Sequence, residues 1–259
     1  MTKSAKHDSL ELTLKTLKLN TMREEYSRQA NAAEQNNWSY PQYLFSLSQI
    51  ELDDRAQRKK QRNRTMSRIP IEKTRSNIKL EHYPTVIRKR FEDLCTGSFL
   101  EKAENILAFG LPGVGKTHYL CAIGHELINN GYRVFFTPAF QLVEMLLKAK
   151  KELLLERILK RLDSFDAVII DDIGYIQQDR HQTEVLFTFL SERYERKSVM
   201  ISSNLVFSEW GKIFLDAMTT AAAIDRLVHH SQVLEFSNDS YRAKIAKDKI
   251  KSRGKSIKK

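Results

Sequence analysis

One run of eight residues constrains this chain more than any other feature. Gly110-Leu111-Pro112-Gly113-Val114-Gly115-Lys116-Thr117 is a complete G-x-x-x-x-G-K-[ST] pattern. Such a run needs a strand before it and a helix after it. Its glycines let backbone N–H groups curl around phosphate oxygens, and the helix N-terminus adds partial positive charge. Both flanks are present, since NILAFG over 105–110 reads as a buried strand and residues 118–129 read as a helix. Lys116 is then placed to reach β- and γ-phosphates, and the Thr117 hydroxyl to ligate Mg²⁺. The expected phosphate cradle is Gly110 to Thr117 with His118, and its expected ligands are ATP and Mg²⁺.

The same alternation continues along the chain. Apolar runs at 132–137 (YRVFFT), 167–171 (AVIID), 198–203 (SVMISS) and 232–236 (QVLEF) are separated by amphipathic helical segments. Short runs rich in Val, Ile and Phe, spaced this way, predict an α/β fold with a buried parallel sheet of βαβ units. The third run ends in Asp171 and Asp172, which places two carboxylates at the sheet's carboxyl edge beside the phosphate loop. Asp171 is expected to hold Mg²⁺ and Asp172 to orient and deprotonate an attacking water. Asn204, ending the fourth run, either holds that water or the γ-phosphate or is a plain turn residue. Arg226, in Asp225-Arg226-Leu227, falls on a helix edge, where a surface ion pair is the default. His229-His230 has no i, i+4 partner and no nearby Cys, so the pair is expected to be exposed or near phosphate rather than a metal site.

The formal net charge of +11 is unevenly distributed. Residues 1–100 carry 19 Lys and Arg against 12 Asp and Glu, residues 101–241 carry 15 against 19, and residues 242–259 carry 9 against 1. Basic ends around a mildly acidic centre point to a polyanion partner. The N-terminal segment reads as helical, with Asp8 and Glu11 at capping-box spacing, a polar loop over 31–37, and a second helix starting at Ser39 with Pro41 and Gln42 in its first turn. That helix runs into a stretch with six basic residues in ten, Arg55, Arg58, Lys59, Lys60, Arg62 and Arg64, and Pro70 closes it. Lys148, Lys150 and Lys151 end the helix after the second strand. Each run is either a solvated helix face or a polyanion contact; with no aromatic residue in either, the contact expected is with duplex phosphates rather than by stacking on single strands. Cys95 and Cys121 lack disulfide or zinc spacing, no apolar run approaches the ~20 residues of a membrane span, and residues 1–8 have no signal-peptide core. The expectation is a cytoplasmic protein with no membrane partner.

Taken in order, the P-loop, Asp171-Asp172-Ile173-Gly174, Ser202-Ser203-Asn204, Asp225-Arg226-Leu227 and Ser240-Tyr241-Arg242 resemble the IstB/DnaC group of AAA+ ATPases, nearest the IstB branch of insertion-sequence transposition helpers. The resemblance covers nearly the whole chain. It implies a P-loop AAA+ (ASCE) parallel sheet flanked by helices, a small α-helical N-terminal domain over 1–68, an ATPase domain over 69–241, a basic tail over 242–259, and little or no lid. It also implies that Asn204 is similar to sensor 1, Arg226 to an arginine finger acting on a neighbouring subunit, and Arg242 to sensor 2. The implied partners are double-stranded DNA, further copies of the chain and the transposase of the same element. Two departures stand out: an Asp-Asp pair where Asp-Glu is commoner across AAA+ proteins, and an unusually basic tail. A helicase loader is the alternative within the group. A small-molecule kinase would not need an arginine-finger helix or so basic a tail; an interaction protein that binds ATP structurally and barely turns it over is the other alternative, which the short Asp172 keeps open.

Overall fold

The computed structural model describes residues 3–175, 179–205, 209–210, 225, 227–237 and 240. The chain divides into two compact units, residues 1–62 and 63–259. The first holds α1 (Lys3–Thr16), α2 (Asn20–Gln35) and most of α3 (Tyr40–Ser67). Leu14, Tyr26 and Leu47 form its small core, with Leu19, Met22 and Tyr43 packed against them.

The predicted start of α3 is observed. The Ser39 N–H donates to Gln42 Oε1 at 2.8 Å, and the Gln42 N–H to Ser39 Oγ at 3.4 Å, the reciprocal pattern of a capping box. Two other expectations fail. Helix α1 begins at Lys3, so Asp8 lies within it rather than at its N-cap position; no Gly or Pro precedes Asp8 to stop the helix extending backward. Helix α2 continues to Gln35, because Ala32, Ala33 and Glu34 favour helix strongly enough to carry Asn31 with them. The chain turns only at Asn37, which has φ of 50°.

Glu51 joins α3 to the start of α2. It is 3% exposed, and its Oε2 accepts the Thr21 and Met22 N–H groups at 2.8 and 2.9 Å, two donors that a helix start leaves unpaired. Burial works against the Glu51 carboxylate, yet the Met22 N–H, the Arg55 guanidinium and the Thr21 N–H outweigh it and hold its pKa below the ordinary value.

The second unit contains α4 (Thr85–Thr96), α5 (Ser98–Glu101), β1 (Asn105–Gly110), α6 (Lys116–Asn129), β2 (Val134–Pro138), α7 (Ala139–Lys151), α8 (Leu155–Asp163), β3 (Ala167–Asp171), α9 (Arg180–Arg193), β4 (Ser198–Ser203) and β5 (Ser231–Phe236). The five strands form one sheet in the order β2-β3-β4-β1-β5, and every neighbouring pair is parallel. Alternate residues face opposite layers. Ile106, Ala108, Val134, Ile169 and Met200 pack with α4 and α6, while Leu107, Phe135, Val168, Ile170 and Ile201 pack with α7 and α9. Burial on both faces explains why these strands read as continuous apolar runs.

Strand β2 starts two residues later than predicted. Gly131 (φ 94°) and Tyr132 finish α6 instead, their N–H groups donating to Ile128 O and Leu127 O at 3.0 Å, which is a Schellman ending. At the amino edge of the sheet, buried Arg193 donates to Leu162 O, Phe165 O and Ser198 O at 2.9–3.0 Å. Desolvation pulls its pKa down to about 10, so it stays charged at neutral pH. These carbonyls tie the entries of β3 and β4 together, and all the strand carboxyl ends emerge at the opposite edge. Among the described residues, no helix is long and apolar enough to cross a membrane.

Candidate active site

The P-loop leaves β1 at Gly110 and enters α6 at Lys116. Gly115 has φ of 101°, and a Cβ there would lie 2.4 Å from Tyr83 Oη. Only glycine fits, on both counts. Tyr83 Oη donates to Gly115 O at 3.2 Å, which fixes the loop's last turn. Lys116 is 4% exposed, and its Nζ donates to Gly110 O at 2.7 Å and Leu111 O at 3.0 Å. The ammonium therefore sits inside the curl of the loop. His118 Nε2 lies 3.3 Å from Thr74 O. Burial is the largest influence on this ring and holds its pKa below the ordinary histidine value, so it is neutral at pH 7.

Opposite the loop, β3 delivers the acidic pair. Asp171 Oδ1 accepts the Thr117 hydroxyl at 2.7 Å and the Ser202 hydroxyl at 2.6 Å. The same Ser202 oxygen accepts the Asp172 N–H at 2.8 Å. Asp172 has φ of 56°, the left-handed region, which costs a non-glycine residue about 1–2 kcal/mol. Ser202 is fully buried on β4 and stabilises that turn by satisfying its N–H. Thr117, Asp171, Ser202 and Asp172 thus form one interlocked group across α6, β3 and β4.

A cavity of about 300 Å³ opens beside this group. Pro112 to His118 and Asp172 line one side, and Lys73, Asn77, Ile78, Lys79, His82 and Tyr83 the other. Sequence reasoning found the first side and missed the second, along with Ser202. Nothing in residues 73–83 repeats a phosphate motif. The one available signal was the break from helical to turn-like composition between Pro70 and Pro84.

The remaining expected site residues fall as follows. Asn204 stands at the carboxyl end of β4, at the expected edge, but does not line the cavity. Its Oδ1 is buried with no hydrogen-bond partner among the described residues, and a Cβ on Gly174 would lie 2.2 Å from it. Arg226 and Arg242 lie outside the described residues, as does the tail from 243 onward. Of the first basic cluster, Arg55 bonds Glu51 and Lys18 O, and Arg58 bonds Asp54 and Thr21 Oγ1. Both work within the N-terminal unit. Arg64 donates to Asn129 Oδ1 at 2.6 Å, and Asn63, inside the same basic run, is buried against Tyr132 O at 3.2 Å. One edge of the run therefore packs, through small polar groups. Lys59 and Arg62 are exposed and Lys60 is half-exposed. In the second cluster Lys150 pairs with Glu184 at 2.7 Å, Lys148 stands 4.0 Å from Glu152, and Lys151 is exposed.

A parallel sheet in this strand order, with a glycine-rich loop after β1 and an acidic pair after β3, defines a P-loop domain of the AAA+ type. The AMPPCP-bound DnaA of Aquifex aeolicus shares this fold, with a TM-score of 0.56 and 19% identity over 72% of this chain and 57% of that one. So does the DnaC helicase loader, with a TM-score of 0.53 and 18% identity over 62% of this chain and 97% of that one. A family model, "IstB-like ATP binding protein", matches residues 12–249. An insertion-sequence ATP-binding protein of Sinorhizobium fredii is 39% identical over 95% of this chain and 83% of its own length. The ATP-binding protein of insertion sequence IS5376 from Geobacillus stearothermophilus is 37% identical over 87% of this chain and 90% of its own. The chain belongs to the IstB-like ATP-binding protein family.

Proposed function

We propose that the chain binds ATP in the 300 Å³ cavity, hydrolyses it, assembles with further copies on duplex DNA, and recruits or activates the transposase of its own insertion element. The observation that carries the catalytic part is the interlocked group Thr117–Asp171–Ser202–Asp172 facing the loop that holds Lys116. Lys116 Nζ, already turned into the loop's curl, exchanges its carbonyl partners for phosphate oxygens, where its hydrogen bonds become charge-assisted at both ends. A hydroxyl and a carboxylate oxygen 2.7 Å apart are the hard donors that Mg²⁺ prefers, so Thr117 and Asp171 fit that ion. When bound, Mg²⁺ neutralises charge on the β- and γ-phosphate oxygens. Asp172 accepts the proton of the attacking water, and the Asn204 amide orients that water. The products are ADP and phosphate. Arg226 reaches the γ-phosphate bound by a neighbouring copy, and Arg242 contacts the nucleotide of its own chain.

The transposition role rests on the family, whose members are named for insertion sequences. The DNA contact rests on Lys59, Lys60, Arg62 and Lys151, the members of the two basic clusters for which no ion pair or side-chain hydrogen bond is seen among the described residues. Arg55, Arg58, Arg64, Lys148 and Lys150 add positive field from places where they also hold the fold. Two measurements test this. Asp172→Asn keeps shape and ATP binding but cannot take a proton, so turnover should fall at least about a hundredfold while assembly on DNA persists or lengthens. Wild-type turnover in that variant would move the base elsewhere, with Asp179 and Glu184 examined next. Replacing Lys59, Lys60 and Arg62 together with Ala should weaken binding to all duplex sequences alike. The slope of log affinity against log salt should flatten by about 2–3. An unchanged slope would move the DNA contact to another face, and equal affinity for single strands would favour a helicase-loader role instead.

A further inference from the structure

We propose that Glu195, His229 and His230 form a binding site for a borderline transition-metal ion, of the Zn²⁺ or Co²⁺ kind, at the amino edge of the sheet. One donor atom from each residue lies within 4.8 Å of the other two. His230 Nε2 and Glu195 Oε1 are already 3.2 Å apart. Two ligands held about 2.0–2.1 Å from a tetrahedral ion stand roughly 3.3 Å from each other, so this pair has the spacing of one edge of such a site. The third donor, within 4.8 Å of the other two, needs to close by at most about 1.5 Å, which a side-chain rotation at exposed His229 supplies.

Local structure explains how consecutive histidines converge. Within a helix, neighbours diverge around the axis. Here residues 227–229 are helical, 230 is a turn and β5 begins at Ser231, so the chain changes direction between the two rings. Their centroids are 4.3 Å apart at 81°. Glu195 comes from the turn between α9 and β4, and the Asn105 N–H donates to His230 O at 2.6 Å, anchoring the turn before β5 to β1. The site is remote from the nucleotide cavity, because strands of five or six residues separate the two edges by roughly 15–20 Å.

Two imidazoles and one carboxylate select Zn²⁺, Co²⁺ or Ni²⁺ over Mg²⁺ and Ca²⁺, which take oxygen ligands. Three protein ligands leave a coordination position open to solvent. The site faces a broad cleft that Arg90, Asp93 and Glu104 also line. A bound ion would staple the turn after α9 to the segment entering β5. Arg226 lies three residues before His229 in the chain, so occupancy would fix the stretch that follows it.

The test uses the full chain without a polyhistidine tag and without nucleotide, titrated with Co²⁺. Calorimetry should give one ion per chain, and the visible absorption of Co²⁺ should show imidazole ligation. Glu195→Gln, His229→Ala and His230→Ala should each weaken binding about tenfold or more, and the double histidine variant should lose both signals. Melting temperatures without metal should stay at the wild-type value, since Glu195 and His230 side chains are 56% and 38% exposed. Metal should raise the melting temperature of the wild type and not that of the variants. Binding that survives all three substitutions, or no binding at millimolar Co²⁺, would overturn the site and leave only a Glu195–His230 side-chain contact.

Discussion

Lys116→Ala loses ATP binding, with the dissociation constant rising at least about a hundredfold. The ammonium is the single cation the loop sequence itself brings to the phosphates, and hydrogen bonds to a charged group are worth about 1.5–3 kcal/mol each. Two of them account for a hundredfold or more. The substitution also removes the bonds to Gly110 O and Leu111 O, so loop geometry and phosphate contact fail together. Lys116→Met separates these effects, because it keeps the buried aliphatic stem and removes only the charge. Both variants should bind ATP equally badly by calorimetry, and the methionine variant should melt closer to the wild type. Unchanged affinity in either variant would remove the P-loop assignment, and the hydrolysis proposed at Asp172 with it.

The parts legible in the sequence are those whose meaning is local. The P-loop is contiguous, and β1, β3 and β4 have the predicted bounds because burial on both faces writes itself as unbroken Val, Ile and Phe. Asp171 and Asp172 were legible because they directly follow such a run. The misses involve partners distant along the chain. Ser202 lies 31 residues from Asp171, and a buried serine in a strand looks the same in sequence as one facing solvent. Tyr83 reaches Gly115 across 32 residues through a ring whose contacts with Tyr119 and Phe236 read as ordinary core. Glu195 meets His230 across 35 residues, a contact that the histidine pair, read alone, does not reveal. The basic run erred in the opposite direction: six like charges read as free for a polyanion, and the structure spends three of them on Glu51, Asp54 and Asn129.

Ser202 also gives Asp172, the proposed base, a physical setting. An aspartate carries its carboxylate one methylene nearer the backbone than a glutamate, so the backbone itself must bring it forward. Asp172 has a left-handed φ of 56°, and the Ser202 oxygen holds its N–H in that turn. Because the same hydroxyl donates to Asp171 Oδ1, the proposed metal ligand and the proposed base cannot shift independently.

The last expected result concerns where the catalytic unit is completed. Arg226→Ala alone should reduce turnover by about 10³–10⁵, the range measured for arginine fingers, while leaving ATP affinity near wild type. If Arg226 acts on a neighbour's nucleotide, Arg226→Ala protein mixed with Asp172→Asn protein should recover activity that neither has alone. The intact Asp172 of the first and the intact Arg226 of the second then meet at one interface. In a head-to-tail assembly, equal amounts mixed at random complete about one interface in four. Asp172→Asn is the better partner than Lys116→Ala, because it keeps ATP bound and so keeps any nucleotide-dependent assembly. Of the two neighbours of Arg226 in the chain, Asp225 is exposed and Leu227 is 4% exposed. Activity in the mixture should rise with the square of total protein at low concentration and vanish at large excess of either variant. No recovery at any ratio, with both proteins co-assembling on duplex DNA, would make Arg226 a residue of its own subunit's fold. Catalysis would then be complete within one chain.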